Sequence, residues 1–171
     1  MKLRLAATLL ALTLLAACSD DPELRVEPSE SPTSPSSTSP TSEPAQVLGP
    51  EETVRAWVDA RNVLMLEGDA TAVEALSAPS CKTCRNSIAP LKEVHKNGGR
   101  FENDGWTVSS SRVRSETAAR ATVSVALVTS AGTTIPSIGA EPVSYEEENR
   151  IAVFRLAFNK GWRVGFIGYL S

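Results

Sequence analysis

The hydrophobic period of this chain changes once, near residue 100, and that change decides what it can fold into. Upstream of it, Val54, Trp57, Val58, Leu64 and Met65 recur at helical spacing, with Arg61 on the same stripe. Pro50 suits the first helical position, and Glu51 and Glu52 meet the positive end of the helix dipole, so a first helix is expected from Pro50 to a stop at Gly68. Asp69 is the N-cap candidate of a short second helix through Leu76, which Ala78-Pro79 ends. A third is expected from Lys82 to Lys96, with Pro90 as a kink or a late start and Asn97-Gly98-Gly99 as terminator. Downstream, Trp106–Arg114, Ala119–Thr129, Arg150–Phe158 and Trp162–Leu170 alternate with period two; Ala121, Val123, Val125 and Leu127 give the cleanest case. Asn159-Lys160-Gly161 joins the last two as a hairpin. Gly132 and Ile135-Pro136 break the middle, and a fifth strand is expected from Pro142 to Glu147. Helices followed by an antiparallel run of strands predict an α+β fold, with two to three N-terminal helices packed on a sheet of about five strands.

The first forty-six residues cannot join that core. Lys2 and Arg4 precede an apolar run from Leu5 to Ala17, the length of a signal-peptide core. It is too short to span a bilayer, which takes about 20 apolar residues, and Asp20, Asp21 and Pro22 close it. Plain secretory cleavage is one reading. Leu15-Ala16-Ala17-Cys18, however, resembles the lipobox of bacterial lipoproteins. That resemblance implies a diacylglycerol thioether on Cys18, removal of residues 1–17, and a protein held by lipid on the extracytoplasmic face of the cell membrane. Two or more acyl chains hold stably where one gives only marginal attachment. From Pro28 to Pro44, fifteen of seventeen residues are Ser, Thr or Pro, so residues 18–46 read as a disordered, extended stalk. At about 3.1 Å per residue it reaches roughly 85 Å. Its composition also permits O-glycosylation.

The remaining residues, 47–171, carry 14 Lys+Arg against 14 Asp+Glu and form one domain in length. Without a basic field, nucleic-acid binding is not expected. Without a polybasic run beside Cys18, the lipid alone must anchor the chain.

Chemistry has few places to reside. Cys81-x-x-Cys84 admits three readings: a structural disulfide suited to an exported chain, a redox pair activated at a helix N-terminus beside Lys82, or half of a zinc site. The first fits best, because the motif follows a helix and a proline rather than a strand, and His95 is the only histidine available as a further ligand. His95, near a helix end, reads as a solvated residue favoured by the dipole. Glu146-Glu147-Glu148 offers paired carboxylates, yet reads more simply as a charged strand edge. No phosphate loop, GxSxG or HExxH occurs. No catalytic residue, metal ligand or cofactor is assigned.

The order of elements resembles the cone-shaped fold of the nuclear transport factor 2-like (SnoaL-like) superfamily, with Glu67-Gly68-Asp69-Ala70 at the break between its first two helices. More narrowly, Cys81-x-x-Cys84, Gly98-Gly99-Arg100-Phe101 and Gly105-Trp106-Thr107-Val108 resemble an uncharacterised family of actinobacterial lipoproteins over roughly residues 50–170. The resemblance implies a curved, cone-like sheet and brings no activity with it. In a cone, Arg61 becomes a candidate contact for an anionic ligand, or pairs with an acid at the rim, or extends outward. Trp57, Trp106, Trp162, Tyr145 and Tyr169 are candidate cavity walls, or plain core. The function expected is that of a membrane-anchored, non-catalytic envelope module binding a partner protein, a cell-wall component or a small ligand. The alternatives are an enzyme or carrier using the cone's cavity, and a thiol oxidoreductase centred on Cys81.

Overall fold

A computed structural model describes residues 47–170. The expected signal peptide, lipidated Cys18 and stalk lie outside the described residues. Helix α1 spans Pro50–Glu67 and starts as expected, with proline in the first turn followed by Glu51 and Glu52. It ends at Gly68, whose φ of 81° lies in the left-handed region that glycine enters without steric cost, and whose N–H reaches Leu64 O at 2.9 Å. Helix α2 is shorter than expected, Thr71–Ala75, and Asp69 is not its cap. Asp69 Oδ1 instead accepts the Thr71 N–H at 2.8 Å, a local turn, and Ala70 takes the cap position, so the helix starts one residue later than expected. Helix α3 runs Lys82–Lys96 with Pro90 inside it. Pro90 faces solvent, while Cys84, Ile88 and Leu91 form the buried stripe.

Seven strands follow: β1 (Arg100–Glu102), β2 (Trp106–Glu116), β3 (Arg120–Thr129), β4 (Gly132–Ile135), β5 (Val143–Tyr145), β6 (Glu148–Phe158) and β7 (Trp162–Leu170). Four of them, in the order β2-β3-β6-β7, make the antiparallel sheet that the alternating stretches predict. Ala121, Val123, Val125 and Leu127 on β3, with Ala152, Phe154 and Leu156 on β6, turn inward onto α1. Trp57, at the centre of that packing and fully buried, donates its indole N–H to Ser77 Oγ at 2.8 Å and meets Phe154 edge-on, 5.8 Å between ring centres. The β7 edge is tied to the segment after α2, with Ala78 N–H on Val164 O at 2.8 Å and Val164 N–H on Leu76 O at 2.9 Å.

The other three strands form a second small sheet, β1-β4-β5, which the sequence did not predict. The stretch from Gly132 to Ile135, expected as a break, pairs with β1, placing Phe101 opposite Thr134. Val143–Tyr145, the core of the expected fifth strand, joins β4 and not the main sheet. Gly99 makes this pairing sterically feasible: a Cβ there would meet Ile135 O and lie 2.6 Å from Pro136 C, both backbone atoms that cannot rotate away.

Candidate functional site

The two sheets, α1 and α3 line a half-open pocket of about 310 Å³. Arg61 enters it from the apolar stripe of α1 with only 8% of its surface exposed. Its guanidinium carbon lies 3.6 Å from the centre of the Trp106 ring, within cation–π range. Nε donates to Ser87 Oγ at a long 3.4 Å. Nη1 is shielded from solvent and has no hydrogen-bond partner, and no carboxylate among the described residues pairs with Arg61. Burial lowers its pKa from the ordinary arginine range to about 10, with the Tyr169 phenol acting in the opposite direction. The group therefore remains a cation at neutral pH.

Trp106 is held by Asn62, one residue along α1. The Asn62 amide donates to Trp106 O at 2.7 Å and accepts the Trp106 N–H at 3.0 Å. Tyr169 on β7 stands edge-on to Trp106, 6.4 Å between centres, and the Arg150 guanidinium carbon lies over the Tyr169 ring, 5.6 Å from its centre. Burial raises the Tyr169 pKa, and the charges of Arg61 and Arg150 partly offset that. From the small sheet come Phe101, Tyr145 and Thr134; the hydroxyl of Thr134 is buried and, like Arg61 Nη1, unpartnered. Glu146 and Glu148 line the pocket from exposed positions, with Glu148 bound to Arg150 by an ion pair. Arg61 is thus the buried charge of the site that lacks a counter-ion.

Other residues singled out in the sequence fall elsewhere. Trp57 belongs to the core, and Trp162 packs against Phe158 at 5.2 Å away from the pocket. His95 is half-buried rather than solvated; its Nε2 donates to Met65 O at 2.8 Å, satisfying one of the last carbonyls of α1. Cys81 and Cys84 are both fully buried, with sulfurs 2.03 Å apart as a disulfide. So short a loop contributes about 2 kcal/mol in the chain-entropy account, and a buried disulfide offers no sulfur to an attacking thiolate. No cluster of three or more metal-ligating side chains occurs among the described residues. None of their helices is long and apolar enough to cross a membrane. The sequence reading missed Thr134, Asn62 and Arg150. Only Arg150, in an alternating strand, carried any signal.

These features define a small α+β domain, helices on one face of an antiparallel sheet, with an aromatic pocket at the seam with a second sheet. The chain belongs to the family of unknown function DUF6318, whose model matches residues 31–163. Among functionally curated proteins there is no significant match. Among solved structures, the chain shares its fold with the intermembrane space region of the chloroplast protein ARC6, at 14% identity and a TM-score of 0.54, covering 71% of this chain and 93% of that one. It is also similar, at a TM-score of 0.45, to an NTF2-like protein of unknown function in nutrient uptake from Rhodospirillum rubrum (18% identity; 69% of this chain, 98% of that one). The same score relates it to a ketosteroid isomerase-like protein from Erwinia carotovora atroseptica (16% identity; 71% and 93%).

Proposed function

We propose that this protein is a membrane-anchored binding module that holds a small organic molecule between its two sheets without transforming it. The observation that carries the reading is the pocket itself: a few hundred Å³, walled by aromatic rings, with one buried atom on each of two polar side chains, Arg61 Nη1 and Thr134 Oγ1, left without a hydrogen-bond partner. Buried polar groups are nearly always satisfied, so two orphans in one cavity point to a partner that arrives from outside. The carboxylates at the pocket are exposed and Glu148 is occupied by Arg150, so the lining supplies contacts rather than an acid/base pair. The anchor rests on Leu15-Ala16-Ala17-Cys18 and its resemblance to a lipobox.

Thr129 lines the pocket at a half-buried position, so Thr129→Trp should fill it. A thermal-shift screen of small aromatic and aliphatic compounds against the full chain should find saturable binders that this variant no longer binds. Binders that Thr129→Trp leaves untouched would place recognition elsewhere and overturn the pocket reading. Cell fractionation tests the anchor: Cys18→Ser should move the protein out of the membrane fraction or leave its precursor uncleaved. Normal maturation together with membrane retention would refute it.

A further inference from the structure

We propose that the molecule bound here is a monocarboxylate with a flat apolar body, gripped end-on by the two terminal nitrogens of Arg61, with Thr134 meeting a second polar group on the same molecule. The inference rests on the pocket reading above and names the chemistry of its occupant.

The guanidinium leaves few choices. One of its faces is covered by Trp106, and Nε is directed at Ser87 Oγ. What remains is the edge carrying Nη1 and Nη2, whose spacing matches the two oxygens of a carboxylate; Nη1 is closed off from solvent, so a two-point grip requires the side chain to shift toward the ligand. Nη1 has no partner within the protein, and a buried cation without a counter-charge is among the least favourable states a side chain can occupy. Burial lowers the Arg61 pKa only to about 10, so the charge awaiting a partner is present at pH 7. An anion bound there would neutralise it.

The rest of the pocket narrows the class. Arg150, the other cation present, is engaged by Glu148, and Glu146 adds a further negative charge. A phosphate dianion would bring a second negative charge toward these acids with no second free cation to receive it, whereas a monoanion needs only Arg61. Trp106, Tyr169 and Phe101 offer ring surfaces, and Met65, Leu91 and Leu127 offer aliphatic ones, which together suit a planar body. About 310 Å³ is room for a small single-ring molecule rather than a polymer segment. Thr134 contributes a buried hydroxyl from the other sheet, able to donate or accept.

A probe of this description is 4-hydroxybenzoate, with 4-hydroxybenzamide as its neutral analogue. Calorimetry on the full chain in detergent micelles at pH 7 should show the acid binding on the order of ten-fold more tightly than the amide. Arg61→Gln should remove that preference while leaving amide binding in place, and Arg61→Lys, a point charge without the fork, should restore part of it. Thr134→Val should weaken 4-hydroxybenzoate severalfold but leave benzoate, which lacks the hydroxyl, unchanged. Equal binding of acid and amide to the unmodified chain would overturn the carboxylate inference and leave the pocket reading standing. Tighter binding of phenyl phosphate than of 4-hydroxybenzoate would overturn the monoanion. If neither the acid nor the amide binds, this inference falls; the pocket reading falls with it only if the thermal-shift screen is also flat.

Discussion

Replacing Trp57 by alanine should destabilise the domain by about 3–5 kcal/mol, a large fraction of the roughly 5–15 kcal/mol that a domain possesses. The side chain is fully buried among α1, β6 and the start of β2, with Phe154 at 5.8 Å and Trp106 at 6.4 Å between ring centres. Its removal leaves a cavity that three rigid elements cannot collapse to fill. Trp57→Phe separates the contributions. It keeps an aromatic ring against Phe154 but loses the N–H donated to Ser77 Oγ, while the Ser77 hydroxyl still donates to Val73 O at 2.7 Å. About 1–2 kcal/mol is expected for that variant. Urea midpoints at constant m-value measure both. A loss below 1 kcal/mol for Trp57→Ala would mean that the core is not organised around this ring.

Arg61→Met should act in the opposite direction, raising the stability of the ligand-free domain by about 1–2 kcal/mol while abolishing the preference for carboxylates. A thioether of similar length fills the space without a charge to desolvate, and the gain is reduced by the lost cation–π contact with Trp106. The pH dependence follows from the direction of the shift. Folding lowers the Arg61 pKa, so the unfolded chain holds the proton more tightly, and the penalty for burying the cation is complete below about pH 10 and relieved only above it. The stabilisation by methionine should therefore be constant between pH 6 and 8. Urea unfolding at both pH values, with and without 4-hydroxybenzoate, reads it. A destabilised Arg61→Met would identify Arg61 as a structural residue and remove the basis of the pocket chemistry.

The parts of this fold that show in the sequence are those whose periodicity runs long enough to be seen against one buried face. Helix α1 has about three turns of stripe from Val54 to Met65, and β3 alternates without exception from Ala121 to Leu127. The small sheet shows nothing comparable. Its strands have three, four and three residues, too few for any period, and they exist because Gly99 lets two backbones approach. Glycine at 98 and 99 reads simply as the end of a helix; that the second serves strand pairing is a fact of distant neighbours. The same division runs through the site. Arg61 is visible because a charge interrupts an apolar stripe. Thr134 lies in Gly132-Thr133-Thr134-Ile135, which has the composition of a loop, and its burial depends on where β1 comes to rest. Asn62 follows Arg61 on what looks like the wet side of the helix, yet it fixes the backbone of Trp106. Asp69 and His95 mislead for a related reason, since each serves a neighbouring turn or carbonyl that sequence alone does not locate.

The pocket's boundary is made by two partners of unequal standing. The strands β1, β4 and β5 hydrogen-bond only to one another, whereas Trp57, Phe154 and Val123 rest on the four-stranded sheet. Of the pocket residues these three strands carry, Tyr145 is exposed and outside the hydrophobic core, so it can be exchanged with little strain on the interior. Substitution at that rim should change what the pocket admits while the four-stranded frame, and the cation on the helix, keep their places.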